Sequence, residues 1–163
     1  MKKLQQIIAF LCSEYPHKSE ITKARLTKMV YLADWFSALL DGKQLTDIEW
    51  VFNHYGPYVD DVVDAAHSAL GFKIEPQNTM YGTSKYVISY KGDTEKLDLE
   101  KREKKILNAV IEKTKSMYFN EFVDYVYSTY PVKTKERYSS FDLVSLAQRY
   151  KKESPNKASQ SDA

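Results

Sequence analysis

Cysteine and glycine are both scarce in this chain. It has one cysteine, Cys12, and five glycines among 163 residues. A single cysteine excludes an internal disulfide framework and a cysteine-rich zinc site. The low glycine content argues against a loop-rich or all-β fold with many tight turns. Because Cys12 lies in an apolar helical stretch, we expect it to pack as a small hydrophobic side chain.

The chain also lacks a strong excess of charge of one sign and any long hydrophobic run. Its 24 basic and 22 acidic residues are interleaved and leave a net charge of +2. Nucleic-acid binding usually requires a clustered basic excess, and the basic run from Lys101 to Lys105 is interrupted by Glu103. No stretch approaches the roughly 18 uninterrupted apolar residues of a membrane span. We therefore expect a cytoplasmic protein that binds neither a membrane nor a nucleic acid.

The spacing of apolar residues predicts a mainly helical (α+β) fold. Helices are expected over residues 4–15, 20–40, 58–71, 98–115, 119–130 and 139–150. Short apolar segments at 72–74 and 85–90 predict a small antiparallel hairpin, whereas residues 46–53 are ambiguous between strand and loop. Together these segments predict one compact helical domain over residues 1–151 with a small inserted antiparallel β-hairpin. Residues 152–163 have no apolar periodicity and are expected to form a disordered tail.

The chain lacks several sequence motifs that are typical of enzyme active sites. Neither of the glycine-rich phosphate-binding patterns occurs, and there is no G-x-S-x-G nucleophile elbow. We therefore expect neither an enzyme nor a cofactor. One alternative comes from Asp60, Asp64 and His67, which share a face of the expected third helix and could hold a divalent metal. The simpler interpretation is a solvated acidic face, with the first aspartate compensating the helix dipole.

Aromatic residues are abundant, with 13 tyrosines, 7 phenylalanines and 2 tryptophans. Tyrosine and tryptophan combine apolar area with a polar tip, which suits them to protein interfaces. Two of them, Tyr31 and Trp35, fall partly outside the apolar stripe of the second helix. Three others, Tyr55, Tyr58 and Tyr81, lie in expected turns. We predict five partner-binding residues: Tyr31, Asp34, Trp35, Tyr55 and Tyr58. Gly56 and Pro57 are expected to shape the turn between Tyr55 and Tyr58.

Two short motifs resemble those of a known family. The second helix carries Leu26-Thr27-Lys28-Met29-Val30-Tyr31-Leu32-Ala33-Asp34, and Tyr55-Gly56-Pro57 follows after Gly42 and Leu45-Thr46. This order resembles the Panacea domain, also called the SocA-like antitoxin domain. The family has Lys-Leu before the tyrosine, and this chain keeps the lysine and two apolar positions there. The family often has a histidine-containing helix end before a proline, where this chain has Ser128-Thr129-Tyr130-Pro131, so no role is carried over for that histidine.

The resemblance implies an antitoxin. Proteins with this domain neutralise a toxin by direct binding, so a cognate protein toxin is the implied partner, and such pairs can act in phage defence. Some members instead deliver the toxin to an ATP-dependent protease, which would then be a second partner. A proteolytic adaptor and the metal-dependent enzyme based on Asp60, Asp64 and His67 therefore remain open as alternatives.

Overall fold

The computed structural model describes residues 1–54, 56–78, 84–135 and 138–153. Within these ranges the elements are α1 (Lys3–Glu14), α2 (Lys23–Asp41), β1 (Trp50–Asn53), β2 (Gly56–Tyr58), α3 (Asp61–His67), β3 (Phe72–Asn78), β4 (Ser84–Tyr90), α4 (Lys101–Thr114), α5 (Phe119–Tyr127), α6 (Tyr130–Thr134), β5 (Ser139–Phe141) and α7 (Leu143–Glu153). The predicted fold class, mainly helical with a small antiparallel component, is confirmed. Tyr55, Tyr81 and the expected tail beyond Glu153 lie outside the described residues. Lys152 and Glu153 belong to α7, so the tail prediction is wrong for these two.

Helix α2 lies at the centre of the fold. Thr22 caps its first turn, because its hydroxyl oxygen accepts a hydrogen bond from the Arg25 backbone N–H at 3.1 Å. Gly42 ends the helix in the left-handed region at φ 70°, which glycine adopts at little cost. The helix contacts five other helices and strands β2 and β4, and every residue from 25 to 39 is buried. Although α2 is the longest described helix, no helix in the described ranges has both the length and the apolarity to cross a membrane.

The central position of α2 overturns part of the predicted binding surface. Tyr31 and Asp34 are 0% exposed and Trp35 is 3% exposed. The Tyr31 ring packs edge-on against Trp50 with centroids 5.6 Å apart, and Trp35 meets Tyr150 of α7 edge-on at 6.2 Å. A single apolar stripe predicts one buried face, whereas this helix is covered on all sides. The surface exposure on which the choice of Tyr31 and Trp35 depended is therefore wrong, and all three side chains belong to the core.

A three-stranded antiparallel sheet of order β2-β1-β5 lies beside the helices. Strands β1 and β2 pair from Val51 with Tyr58 to Asn53 with Gly56, and His54 lies in a turn directly after β1. Residue 58, expected to begin a helix, therefore ends a strand. On the other edge of β1, Trp50 pairs with Phe141. Residues 139–141, expected to begin the last helix, instead form β5.

The predicted hairpin of β3 and β4 is confirmed, and it is longer than expected. Its strands pair from Phe72 with Tyr90 to Asn78 with Ser84. The hairpin is fastened to the helices where the Ile88 backbone N–H donates to the Ile21 carbonyl at 2.9 Å. This attachment places β4 beside the start of α2.

Candidate partner-binding groove

Asp34 is a buried carboxylate surrounded by five hydrogen-bond donors. Its Oδ1 accepts from the backbone N–H groups of Leu45 at 2.9 Å and Thr46 at 3.0 Å. Its Oδ2 accepts from the Thr46 hydroxyl at 2.5 Å, the Trp50 indole at 2.9 Å and the Gln44 amide at 3.3 Å. Burial raises the pKa of this carboxyl to about 6, while the hydrogen bonds act to lower it. The network ties the loop after α2 to the helix, which is a structural role.

Arg25 is a second buried charge on α2, and it also has partners. Its Nη2 donates to the Tyr15 hydroxyl at 2.7 Å and to the carbonyls of Thr114 at 3.0 Å and Met117 at 2.9 Å. The guanidinium lies 4.6 Å from the centroid of the Phe122 ring, within the range of a cation–π interaction. These contacts fasten α2 to the end of α4 and the start of α5.

Lys28 is a third buried charge on the same helix, and its situation differs. It is only 3% exposed, and burial lowers the pKa of its ammonium group. Among the described residues, no acceptor or carboxylate pairs with this ammonium. Its Nζ is not one of the fully enclosed polar side-chain atoms that lack a hydrogen-bond partner, so the ammonium keeps a narrow contact with solvent at the surface. Its burial still disfavours the charged form.

Lys28 lines a surface cavity of about 420 Å³, which we call the Lys28 groove. Its lining residues come from α2, from α5 and from the β1–β2 hairpin: Lys23, Ala24, Lys28, His54, Tyr58, Phe119, Val123 and Tyr127. The walls are mainly apolar and aromatic, and no carboxylate is present among these described lining residues. The groove therefore presents a buried cation between apolar walls.

A second cavity, of about 530 Å³, adjoins the Lys28 groove and shares Lys23, Ala24 and Phe119 with it. We call it the Tyr86 cavity. Tyr86 is 46% exposed and Phe119 is 45% exposed, and the Lys23 ammonium lies 4.4 Å from the centroid of the Tyr86 ring. Exposed aromatic side chains beside a cavity are typical of protein interfaces.

Tyr58 lies half-buried in the wall of the Lys28 groove. Its hydroxyl donates to Oδ1 of Asp60 at 3.0 Å, and burial, this hydrogen bond and the nearby carboxylates raise the pKa of the phenol. Of the five predicted partner-binding residues, it is the one within the described ranges that reaches this surface. Its role in partner binding stays a prediction.

Gly56 and Pro57 are buried in β2, directly after the turn. Gly56 has φ 87°, and a Cβ at this position would lie 2.6 Å from Cε1 of Tyr127. Both the backbone angle and the approach of this ring require glycine here. The glycine therefore allows the hairpin to pack against α5, where it forms one side of the groove.

The alternative metal site does not assemble. Asp60 precedes α3, Asp64 and His67 lie within it, and all three are exposed. Across the described ranges, no three or more His, Cys, Asp or Glu side chains are grouped so that they could hold a metal ion. The metal interpretation of this face is therefore wrong.

Sequence reasoning missed Lys28, Phe119 and Tyr127 as groove residues. Phe119 and Tyr127 lie within the helix expected over residues 119–130 and were not selected from it, and Lys28 is named only as part of a motif. A signal for Lys28 was available, because this lysine lies between Leu26 and Val30 in an apolar stretch. A charged residue in such a stretch is rarely buried without a reason.

Comparisons with known proteins add one finding. Neither the curated proteins nor the solved structures contain a match to this chain. A family model described as "Antitoxin SocA-like, Panacea domain" matches residues 26–131. The matched span includes every lining residue of the Lys28 groove except Lys23 and Ala24. The chain therefore belongs to the SocA-like antitoxin family with a Panacea domain.

Proposed function

We propose that this protein is an antitoxin that neutralises a cognate protein toxin by binding it directly. Family membership supports an antitoxin role in general. The observation that carries the binding mode is the pair of adjoining cavities that share Lys23, Ala24 and Phe119. The toxin would cover these cavities, without any catalytic step or cofactor, in the cytoplasm.

The aromatic side chains around the cavities support this proposal. Tyr86 and Phe119 are partly exposed, and Tyr118, which precedes α5, is 78% exposed. Tyrosine and phenylalanine in such positions lose little conformational entropy on binding and bury large apolar areas. A toxin that covered both cavities would form an interface of the standard size, about 1,200–2,000 Å².

Co-expression with the product of the adjacent open reading frame tests the proposal. We expect the neighbouring product to arrest growth when expressed alone, and this chain to restore growth and to co-purify with it. The variant Phe119→Ala should weaken both growth rescue and co-purification, because Phe119 lines both cavities. Absence of both growth rescue and a complex would contradict the proposal.

The lifetime of the toxin separates direct blocking from the adaptor mechanism. A blocking antitoxin leaves the toxin half-life unchanged or longer, whereas an adaptor for an ATP-dependent protease shortens it. Pulse-chase measurement of the toxin with and without this chain distinguishes them. Growth rescue with a shortened toxin half-life would replace direct blocking with the adaptor function.

A further inference from the structure

We propose that the Lys28 groove receives an acidic side chain of the toxin, presented next to an aromatic or large aliphatic side chain. This inference rests on the proposed function and specifies its chemistry. It identifies one contact by which the toxin would be recognised.

The first argument is the unpaired charge of Lys28. The residue is only 3% exposed, and its ammonium makes no ion pair with a described carboxylate. Lys28 lines the groove, and its Nζ is not fully enclosed, so a ligand can reach it. A carboxylate that enters the groove would form a charge-assisted hydrogen bond with it. Because Lys28 is already buried in the free protein, the complex gains this pair without the full desolvation cost of the cation.

The second argument is the composition of the walls. Tyr58, Phe119, Val123 and Tyr127 surround the ammonium with apolar and aromatic surface. A carboxylate alone is much smaller than a cavity of about 420 Å³. The remaining volume fits an apolar side chain, and its burial would add the hydrophobic part of the binding free energy.

The third argument concerns the neighbouring cation. Lys23 also lines the groove, but its ammonium lies over the Tyr86 ring in the adjoining cavity. It already has an aromatic partner, so Lys28 is the cation available to a carboxylate. One buried cation matches one acidic side chain, whereas a nucleic acid presents a row of phosphates and requires several exposed cations. The net charge of +2 and the apolar walls therefore favour a protein ligand.

The test uses the full chain and a random-peptide display library as the probe. Peptides are selected on the wild-type protein, with counter-selection on Lys28→Met, which keeps an unbranched apolar stem and removes the charge. We expect enrichment of Asp or Glu beside an aromatic or large aliphatic residue. A selected peptide, synthesised and measured by calorimetry, should bind Lys28→Met at least about 30-fold more weakly than wild type.

Three controls make this result specific. Lys104→Met removes an exposed lysine on α4, outside the groove, and should leave binding unchanged. Lys28→Arg keeps the positive charge and should retain part of the affinity. Replacing the acidic residue of the peptide by its amide should weaken binding to wild type, with little further loss on Lys28→Met, because both changes remove the same pair.

Several outcomes would overturn the inference. Selected peptides without an acidic residue would do so, as would equal binding to wild type and Lys28→Met. Retention of RNA or DNA that Lys28→Met abolishes would assign the groove to a nucleic acid. A concentration-dependent dimer in sedimentation that the same variant abolishes would assign it to a second copy of this chain.

Growth rescue distinguishes failure of this inference from failure of the proposed function. If wild type and Lys28→Met neutralise the adjacent toxin equally well, the groove inference fails and the antitoxin function stands. If wild type does not neutralise the toxin but the peptide results hold, the antitoxin function fails and the acidic specificity of the groove stands. Thermal unfolding of each variant verifies that the compared proteins are folded.

Discussion

Asp34 and Lys28 lie on the same buried helix, and their surroundings are opposite. The carboxylate of Asp34 accepts hydrogen bonds from five donors in the loop and strand that follow the helix. The ammonium of Lys28 has no partner among the described residues and borders an open groove. Asp34 therefore holds the fold together, whereas Lys28 forms no such network.

From this difference we infer that Asp34 serves the structure, and we propose that Lys28 serves a partner. Buried charges normally acquire partners, because an unpaired one destabilises the folded state. Asp34 follows that rule within the chain. Lys28 would follow it only in a complex, so stability and binding should respond in opposite directions when Lys28 is replaced.

Asp34→Ala should have the largest effect on the free energy of unfolding. The change leaves the donors of Leu45, Thr46 and Trp50 buried without an acceptor, and we expect a loss of about 3–5 kcal/mol. Urea unfolding followed by tryptophan fluorescence measures it. Asp47→Ala, at an exposed aspartate in the same loop, should change stability by less than about 0.5 kcal/mol. A loss below about 1 kcal/mol for Asp34→Ala would show that the network is not structural.

The next effect concerns the pH dependence that Asp34 gives to stability. Its folded pKa of about 6 lies above the unfolded value of about 3.9, so the folded state binds this proton more tightly. The ionised form of Asp34 therefore stabilises the fold less than the protonated form, and the free energy of unfolding should rise by roughly 2–3 kcal/mol as the pH falls from 6 towards 4. The Trp50 indole N–H resonance should report the same titration, with a midpoint near pH 6. No titration of that resonance between pH 5 and 7 would contradict the assignment.

A smaller loss is expected for Thr46→Val, which removes one donor to Asp34 and keeps nearly the same shape. Hydrogen bonds to charged groups contribute about 1.5 kcal/mol or more, so stability should fall by about that amount. The pKa of Asp34 should rise further, because the Thr46 hydroxyl is the strongest influence that lowers it. Titration of the Trp50 indole N–H resonance measures this pKa shift. An unchanged midpoint would show that the Thr46 hydroxyl does not lower the pKa of Asp34.

Lys28→Met should produce the smallest change in stability, and one of opposite sign. Removing an unpaired buried cation and leaving an apolar side chain should raise the free energy of unfolding by about 1 kcal/mol. Lys104→Met provides the exposed control and should leave stability within about 0.5 kcal/mol of wild type. A clear loss of stability in Lys28→Met would show that Lys28 has a structural partner, and the contrast with Asp34 would disappear.

Local patterns predicted six of the seven described helices and a small hairpin at β3 and β4, because consecutive residues carry the apolar periodicity of these elements. Helix α6 and the full length of the hairpin were not predicted. Strand β5 was missed because it has three residues and is defined by its pairing with β1, far away in sequence. The burial of Tyr31 and Trp35 was missed for a related reason. Phe141 and Tyr150, which contact them, follow more than a hundred residues later, and no stripe on α2 reveals them.

The candidate site was predicted only in part. Tyr58, which follows the Tyr-Gly-Pro motif, was predicted to bind a partner, and it lines the groove. Lys28 and Phe119 were not among the predicted partner-binding residues. Their importance depends on how α2, α5 and the β1–β2 hairpin meet, which is a tertiary property. The absence of a partner for Lys28 in particular can be seen only when all its described neighbours are placed.

The pairing of β1 with β5 also has a consequence for synthesis on the ribosome. Until residues 141 and 150 have left the ribosome, one edge of β1 has no partner, and Phe141 and Tyr150 cannot yet pack against Tyr31 and Trp35. Domains closed by such distant contacts fold late, after most of the chain is available. We therefore expect the nascent chain of this protein to complete its core only after its C-terminal elements have emerged. The interval between translation of the two motifs and completion of the fold is a period in which the unfinished chain is exposed to proteases.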